Sequence, residues 1–315
     1  MKKIVTIGGG TGHFTLLIGL KYIEELAITA ITSMMDSGKS SGLLRVEWGV
    51  LPPSDLFRCL LALSPLSDDP RIRKLLLHRF ERGDLQGHSI GNIITAGSSK
   101  LSNIIDTVLD ISEWLELAPN HRVLPVTTDD VHLVARSKAG IWYRSEDAIG
   151  TRGESSPFEE ILLVPEAKAH PAVLEAIRDA DLIALDPGDL VTSIIANLLV
   201  QGVPEAIQKS KAKLLYVMNI MTRFAETSGF KASDHVQMIE KYLGRKVDFV
   251  VCNSLDPEPD VLAKYAEEQA YPVELDIRGE YDGRLVIASP LLAKGEIARH
   301  DSKRLASKIA FLLGK

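Results

Sequence analysis

The chain has 315 residues, with 36 Lys and Arg against 42 Asp and Glu, for a formal net charge of −6. Its 45% hydrophobic and 25% charged residues are ordinary for a globular protein, and a chain this long buries most of its unfolded surface. The acidic balance argues against a nucleic-acid or anionic-membrane surface. Two cysteines, Cys59 and Cys252, make neither a disulfide framework nor a four-thiolate zinc site. No apolar run is long enough to span a bilayer. The apolar run before the first glycine has four residues, too few for a signal peptide, so a cytoplasmic protein is expected. Among 23 glycines, the first cluster lies at the very start of the chain.

Lys3 to Ile7 reads as a buried strand running into Gly8, Gly9, Gly10, Thr11 and Gly12. His13 to Leu26 carries Phe14, Leu17, Ile18 and Tyr22 at helical spacing. Ile28 to Ser33 is a second strand ending near Asp36. Such a βαβ unit implies a parallel sheet. Asp36 to Gly42 reads as a polar loop. Residues 54–118 look helical, with Ser54 as an N-cap after Pro52 and Pro53. Val123 to Val126, Val131 to Ser137, Ile141 to Tyr143 and Glu160 to Val164 read as a small antiparallel excursion, with a turn at Lys138 to Gly140. The α/β alternation then resumes. Strands are expected at Asp181 to Leu185, Lys213 to Met218, Val247 to Cys252, Tyr271 to Leu275 and Arg284 to Ile287. Helices are expected from Pro171, over Thr192 to Gln201, Val203 to Ser210, Ser233 to Leu243 and Asp260 to Gln269, and from Asp301 to Gly314.

The pattern predicts an α/β fold. A doubly wound, mainly parallel sheet forms one domain over residues 1–315, and residues 54–165 form an inserted helical and small β segment. In such sheets ligands bind beyond the carboxyl ends of the strands. Those ends carry Gly8 to Gly12, Asp36, Asp186 with Pro187 and Gly188, Asn219, and Asn253. Five strand ends thus deliver glycine, carboxylate or amide toward one crevice.

Several segments bear chemistry. In IGGGTGHF, Gly9, Gly10, Thr11 and Gly12 bring backbone N–H groups to an anion at a helix start. His13 stands where a dinucleotide fingerprint needs its third glycine, and no Walker Gly-Lys-Ser/Thr follows. The bland reading is a tight strand-to-helix turn. In DSGKSSGLLR, Asp36 can meet a ribose hydroxyl or a metal. Ser37, Gly38, Ser40 and Ser41 suit a phosphate-wrapping loop, with Lys39 and Arg45 as counter-charges; the alternative is a solvated loop. Asp55 simply suits a helix dipole. In GHSIGN, His88 and Asn92 stand in a constrained loop, for acid–base work, phosphate contact or an ordinary structural hydrogen bond. In DPGDLVTSIIANLL, Pro187, Gly188, Thr192 and Ser193 make a second anion site, with Asn197 one turn later. After Asn219, Thr222, Arg223, Glu226 and Thr227 form a polar wall or cap a helix.

Taken in order, IGGGTG, DSGKSSG, LPPSD, GHSIGN, DPGDLVTSIIANLL and NIMT…ETSG resemble the 2-phospho-L-lactate transferase superfamily, and more nearly its bacterial gluconeogenesis-factor branch. The resemblance implies a Rossmann-like fold and a homodimer. It also implies a small nucleotide ligand, with no nucleic-acid or membrane partner. The transferase branch implies Mg²⁺, with Asp36 and Asp186 as metal ligands and Asp36 and Asp55 as catalytic acids. The other branch implies a UDP-sugar-binding regulator of carbon metabolism and cell-wall supply. This chain departs from the pattern at Met35, Lys39, Ser54, Phe57, Arg58, Asp186 and Asp189. An acid at position 189 facing a phosphate calls for Mg²⁺ or a basic residue between them.

Overall fold

The computed structural model describes residues 1–155 and 157–315. The strands are β1 (Lys2–Gly8), β2 (Leu26–Thr32), β3 (His121–Pro125), β4 (His132–Ser137), β5 (Trp142–Tyr143), β6 (Phe158–Val164), β7 (Leu182–Leu185), β8 (Lys213–Val217), β9 (Phe249–Asn253), β10 (Gly279–Tyr281) and β11 (Arg284–Ser289). The main sheet runs β10-β11-β9-β8-β7-β1-β2-β3, and β5-β4-β6 form a second, antiparallel sheet. Every pair in the main sheet is parallel except β10 with β11. The chain moves outward from β1 to β3, then returns to β7 on the other side of β1. That reversal opens a crevice above β1 and β7. Ile4, Ile7, Ile28, Ile31, Ile183, Leu214 and Val250 are all buried. Helices cover both faces of the sheet, so its strands read as continuous apolar runs rather than alternating ones.

Before β3 lie helices α1 (Gly10–Leu20), α2 (Lys39–Trp48), α3 (Ser54–Leu63), α4 (Pro70–Leu76), α5 (Ile90–Ser99) and α6 (Ile104–Trp114). Four sequence expectations change. The first helix stops at Leu20, and Leu26 opens β2, because its β-branched neighbours favour the sheet. The loop expected over Asp36 to Gly42 becomes helical from Lys39, after Gly38 as N-cap; glycine and serine there mark a helix start rather than a coil. Val123 belongs to β3, which pairs in parallel with β2. The main sheet thus reclaims a strand from the middle of the expected insertion, and only β4 to β6 make the antiparallel excursion. Tyr271 to Leu275 makes no strand, only bridges from Pro272 to Met221 and from Glu274 to Lys231.

Candidate functional site

The glycine loop follows β1. Gly9, the N-cap of α1, is extended and has no side chain to offer, so the first N–H groups of α1 have no partner within the helix. Gly10 has φ +65, a conformation that glycine tolerates without strain. A Cβ on Gly12 would lie 2.5 Å from the Pro187 carbonyl oxygen. The two strand ends therefore touch through backbone alone. Above them opens a cavity of about 710 Å³, walled in part by Gly9 to Gly12, Pro187, Gly188, Ser193 and Asn219. These sequence-predicted residues do come together.

Asp186 is different. It is fully buried, and its carboxylate accepts from Gly9 N–H at 3.0 Å and Gly188 N–H at 2.9 Å. Burial drives its pKa well above the usual carboxylate range, against those two hydrogen bonds. It lines neither cavity described here. The expected Asp36–Asp186 metal pair is thus not formed, because Asp186 is the clasp that ties the two glycine turns together. Asn219 supports the same turn, donating to Gly188 O at 2.8 Å. Asn197 is buried and donates to Gly8 O at 3.2 Å and Ser193 O at 2.6 Å, so it holds backbone rather than ligand. Asn253 likewise holds backbone, donating to Leu255 O at 2.5 Å in its own loop and accepting from Leu291 N–H at 3.1 Å.

The expected anion site at Thr192 is already filled from within. The π-helix Leu190–Ile195 presents Val191 N–H to Glu226 Oε2 at 2.8 Å and Thr192 Oγ1 to Glu226 Oε1 at 2.8 Å. Ser193 still faces both cavities. Arg223 pairs with Asp189 and donates to Gly150 O at 3.2 Å. It is the basic residue that an acid at 189 called for.

The Asp36 loop joins a buried polar chain. Asp36 accepts from Gly38 N–H at 2.9 Å and from Ser41 Oγ at 2.6 Å. Ser41 Oγ lies 2.8 Å from Ser54 Oγ, and Asn92 Nδ2 donates to Ser54 Oγ at 2.7 Å and to Ser40 Oγ at 2.8 Å. Ser40 Oγ meets His88 Nδ1 at 3.0 Å. Ser40, Ser41, His88 and Asn92 are all buried. They shape the loop from beneath instead of touching a ligand. Ser37 accepts from Asp147 N–H at 2.9 Å. Lys39 is exposed and lines neither cavity. Arg45 donates to Asp130 at 2.6 Å and to Val131 O at 2.8 Å, so neither expected counter-charge stands at the site.

A smaller compartment of about 220 Å³ adjoins the first and shares Gly10, Asp189 and Ser193 with it. Asp36, Asp55 and Glu146 face it, together with Arg58 and Arg79. Burial and then the Asp36 charge push Asp55 up to about 7 and Glu146 up to about 8. Asp55 therefore does more than suit a helix dipole. Sequence reasoning missed Glu146 and Arg79, which come from distant segments. Arg58 stood only as a departure from a family pattern, yet it lies three residues from Asp55, on the same face of α3. Its guanidinium donates to Thr11 Oγ1 at 2.9 Å. The large cavity is also lined by Tyr265, Glu268, Arg299 and His300, none in a glycine motif.

With this geometry, the chain belongs to the family described as 2-phospho-L-lactate transferase CofD, which matches residues 4–292. A relative from Thermotoga maritima is 43% identical over 314 residues, covering 98% of this chain and 98% of its own. The gluconeogenesis factor of Bacillus subtilis is 37% identical over 317 residues, covering 99% and 98%. A crystal structure from Bacillus halodurans superposes with TM-score 0.90 at 35% identity, covering 98% of this chain and 99% of that one. The Rossmann-like fold and the family expected from the ordered motifs are those found.

Proposed function

We propose that this chain is a nucleotide-sugar-binding regulatory protein whose UDP-sugar-like ligand lies in the 710 Å³ cavity. The observation that carries the reading is the division of labour around the glycine loop. Asp186, Asn197 and Asn219 hold the turns from behind; Gly10 N–H bonds the Asp55 carboxylate, which leaves the Thr11 and Gly12 N–H groups of α1 for a diphosphate. With a net charge of −6, the overall field does not attract a polyphosphate, so local groups must hold it. Arg223 and Arg299 line the same cavity and supply cationic donors. Tyr265, Ile220, Met221 and Ile297 give it apolar surface suited to a base. The names of the relatives support a role in carbon metabolism, and the family resemblance supports a cytoplasmic homodimer with a part in cell-wall supply.

Calorimetric titration with UDP-glucose tests this. Saturable binding with no product formed is the expected result. The absence of binding by any nucleotide diphosphate sugar overturns it.

A second reading, a Mg²⁺-dependent transferase, is favoured by one observation: Asp36 and Asp55 face a compartment that opens beside the diphosphate position. Among the described residues no group of three or more His, Cys, Asp and Glu could hold a metal. A site with so few carboxylates fits Mg²⁺ only when substrate phosphates complete the shell. Asp36 would hold the ion, and Asp186 would not. The ion would neutralise charge on a diphosphate leaving group. Asp36 would orient an acceptor hydroxyl and Asp55 would take its proton. Asp36→Asn abolishing turnover while sparing nucleotide binding is the outcome that separates the readings.

A further inference from the structure

A third cavity, of about 400 Å³, opens at the edge of the main sheet opposite the crevice. Its floor is the amino-terminal part of β1, β2 and β3. Lys3 pairs with Ala27 and Val5 with Thr29, and Thr29 pairs in turn with Arg122. Side chains alternate along a strand, so these five residues share one face of the sheet. Val5 and Thr29 are buried. Ala27 carries only a methyl group, which leaves room beside Lys3. The facing wall is the helix Pro171–Arg178 with its C-cap Asp179. Glu175 and Asp179, four residues apart on one helix face, line the cavity together with buried Ala176.

The two walls carry opposite charge, and that charge is not spent across the gap. Lys3 Nζ comes only to 3.9 Å from Asp179 Oδ2. Arg122 makes one side-chain hydrogen bond, to Thr29 Oγ1 at 3.4 Å, and joins no ion pair among the described residues. Glu175 and Asp179 lean on Arg178 at 3.7 and 3.2 Å, and Arg178 does not line the cavity. All these pairs are exposed, where an ion pair is worth little, so a ligand displaces water and no strong bond.

A plain anion entering here meets two carboxylates, and a plain cation meets a lysine and a guanidinium. A dipolar ion suits both walls. The 3.9 Å approach of Lys3 to Asp179 sets opposite charges side by side, as in an α-amino acid, whose carboxylate and ammonium share one carbon. The guanidinium of Arg122 adds a donor fork for the carboxylate. Val5, Ala27 and Ala176 offer apolar surface to a side chain. No aromatic residue lines the cavity, so nothing there stacks a nucleobase.

We propose that this cavity is a binding site for a free α-amino acid with a small aliphatic side chain. Lys3 and Arg122 take its carboxylate, and Glu175 and Asp179 take its ammonium. Lys3 and Gly9 are six residues apart along β1, about 20 Å at the rise of a strand, so this ligand does not compete for the glycine loop. The inference goes beyond the proposed function and does not rest on it.

The test is calorimetry on the full chain with L-leucine as probe, with and without saturating UDP-glucose. N-acetyl-L-leucine, which lacks the ammonium, and L-leucinamide, which lacks the carboxylate, serve as controls. Saturable binding of L-leucine is expected, with each control at least about tenfold weaker. Arg122→Met and Glu175→Gln, both at exposed positions, should each weaken L-leucine about tenfold without changing the melting temperature. Arg122→Met should also narrow the gap between L-leucine and L-leucinamide, because both mutation and amide remove the same contact. No saturable heat, a control that binds as tightly as L-leucine, equal affinity in Arg122→Met, or one-for-one displacement by UDP-glucose would each overturn the proposal. A chain that binds L-leucine but no nucleotide sugar leaves this site standing while the proposed function falls.

Discussion

The two halves of the crevice handle polar groups in opposite ways. Around the turns that follow β1 and β7 the carboxylate and amide side chains are spent on backbone. Asp186, Asn197 and Asn219 each bond backbone, and the surface left for a ligand is mostly main chain. Across from them, the ends of β2 and α3 leave side chains in the void. Asp36, Asp55, Arg58 and Glu146 face it directly. Main-chain recognition is rigid and indifferent to pH. Side-chain recognition is titratable and open to exchange of residues. One crevice thus combines a fixed cradle with a tunable wall.

The sharpest way to break the cradle is to add a side chain to it. A Cβ on Gly12 meets Pro187 O at 2.5 Å and Gly188 N at 2.8 Å, both backbone atoms that move only if the turns separate. Gly12→Val should abolish nucleotide binding in calorimetry and cost about 1–3 kcal/mol of stability. Asp186→Asn tests the clasp itself. The amide offers one acceptor where two N–H groups need one each, which should cost about 1–3 kcal/mol, read as a lower melting temperature with weaker nucleotide binding. If the variant melts and binds like the wild type, Asp186 is not the clasp.

The tunable wall should show itself through pH. Glu146 and Asp55 titrate at about 8 and about 7 when folded, well above unfolded carboxyls near 4. The folded state holds more protons, so these groups stabilise it at low pH and lose that contribution as pH rises through 7 to 8. Buried His13 at about 3, and His235 and His300 at about 4, act in the opposite sense, but only below about pH 6.5. Melting temperature should therefore fall between pH 6.5 and 8.5. Glu146→Gln, which removes one titrating group from the charges of Asp36, Asp55 and Arg223, should flatten that fall. An unchanged slope in the variant would exclude Glu146 as its source. The smallest effect is expected at Ser41→Ala. It frees Asp36 Oδ2 from a 2.6 Å hydrogen bond and should cost about 0.5–1.5 kcal/mol, with nucleotide affinity unchanged because the cradle is untouched.

The cradle was far more legible in the sequence than the wall. Gly9, Gly10, Thr11, Gly12, Pro187, Gly188 and Asn219 sit directly after apolar strands, and a parallel sheet brings such positions to one edge. What the motifs did not reveal was the direction of each side chain. Asp186 and Asn219 follow strands equally well, yet Asp186 lies wholly under the loop while Asn219 also lines the cavity. Lys39 and Arg45 had the right charge in the right segment, but helix α2 turns one to solvent and the other to Asp130. Thr192 had the right chemistry for an anion, and Glu226, 34 residues away, provides the anion internally.

By itself the sequence determined the alternating α/β architecture, the family, and the glycine-walled end of the crevice. Each of these depends on local pattern: apolar runs of strand length, helical spacing, and glycine where backbone must approach backbone. Only the tertiary structure decided that β3 joins the main sheet, that Asp186 is a clasp, and that Arg58, Arg79 and Glu146 face one small void. Those facts depend on contacts between segments far apart in the chain. There, burial and neighbouring charge, not residue type, set what a carboxylate or a guanidinium does.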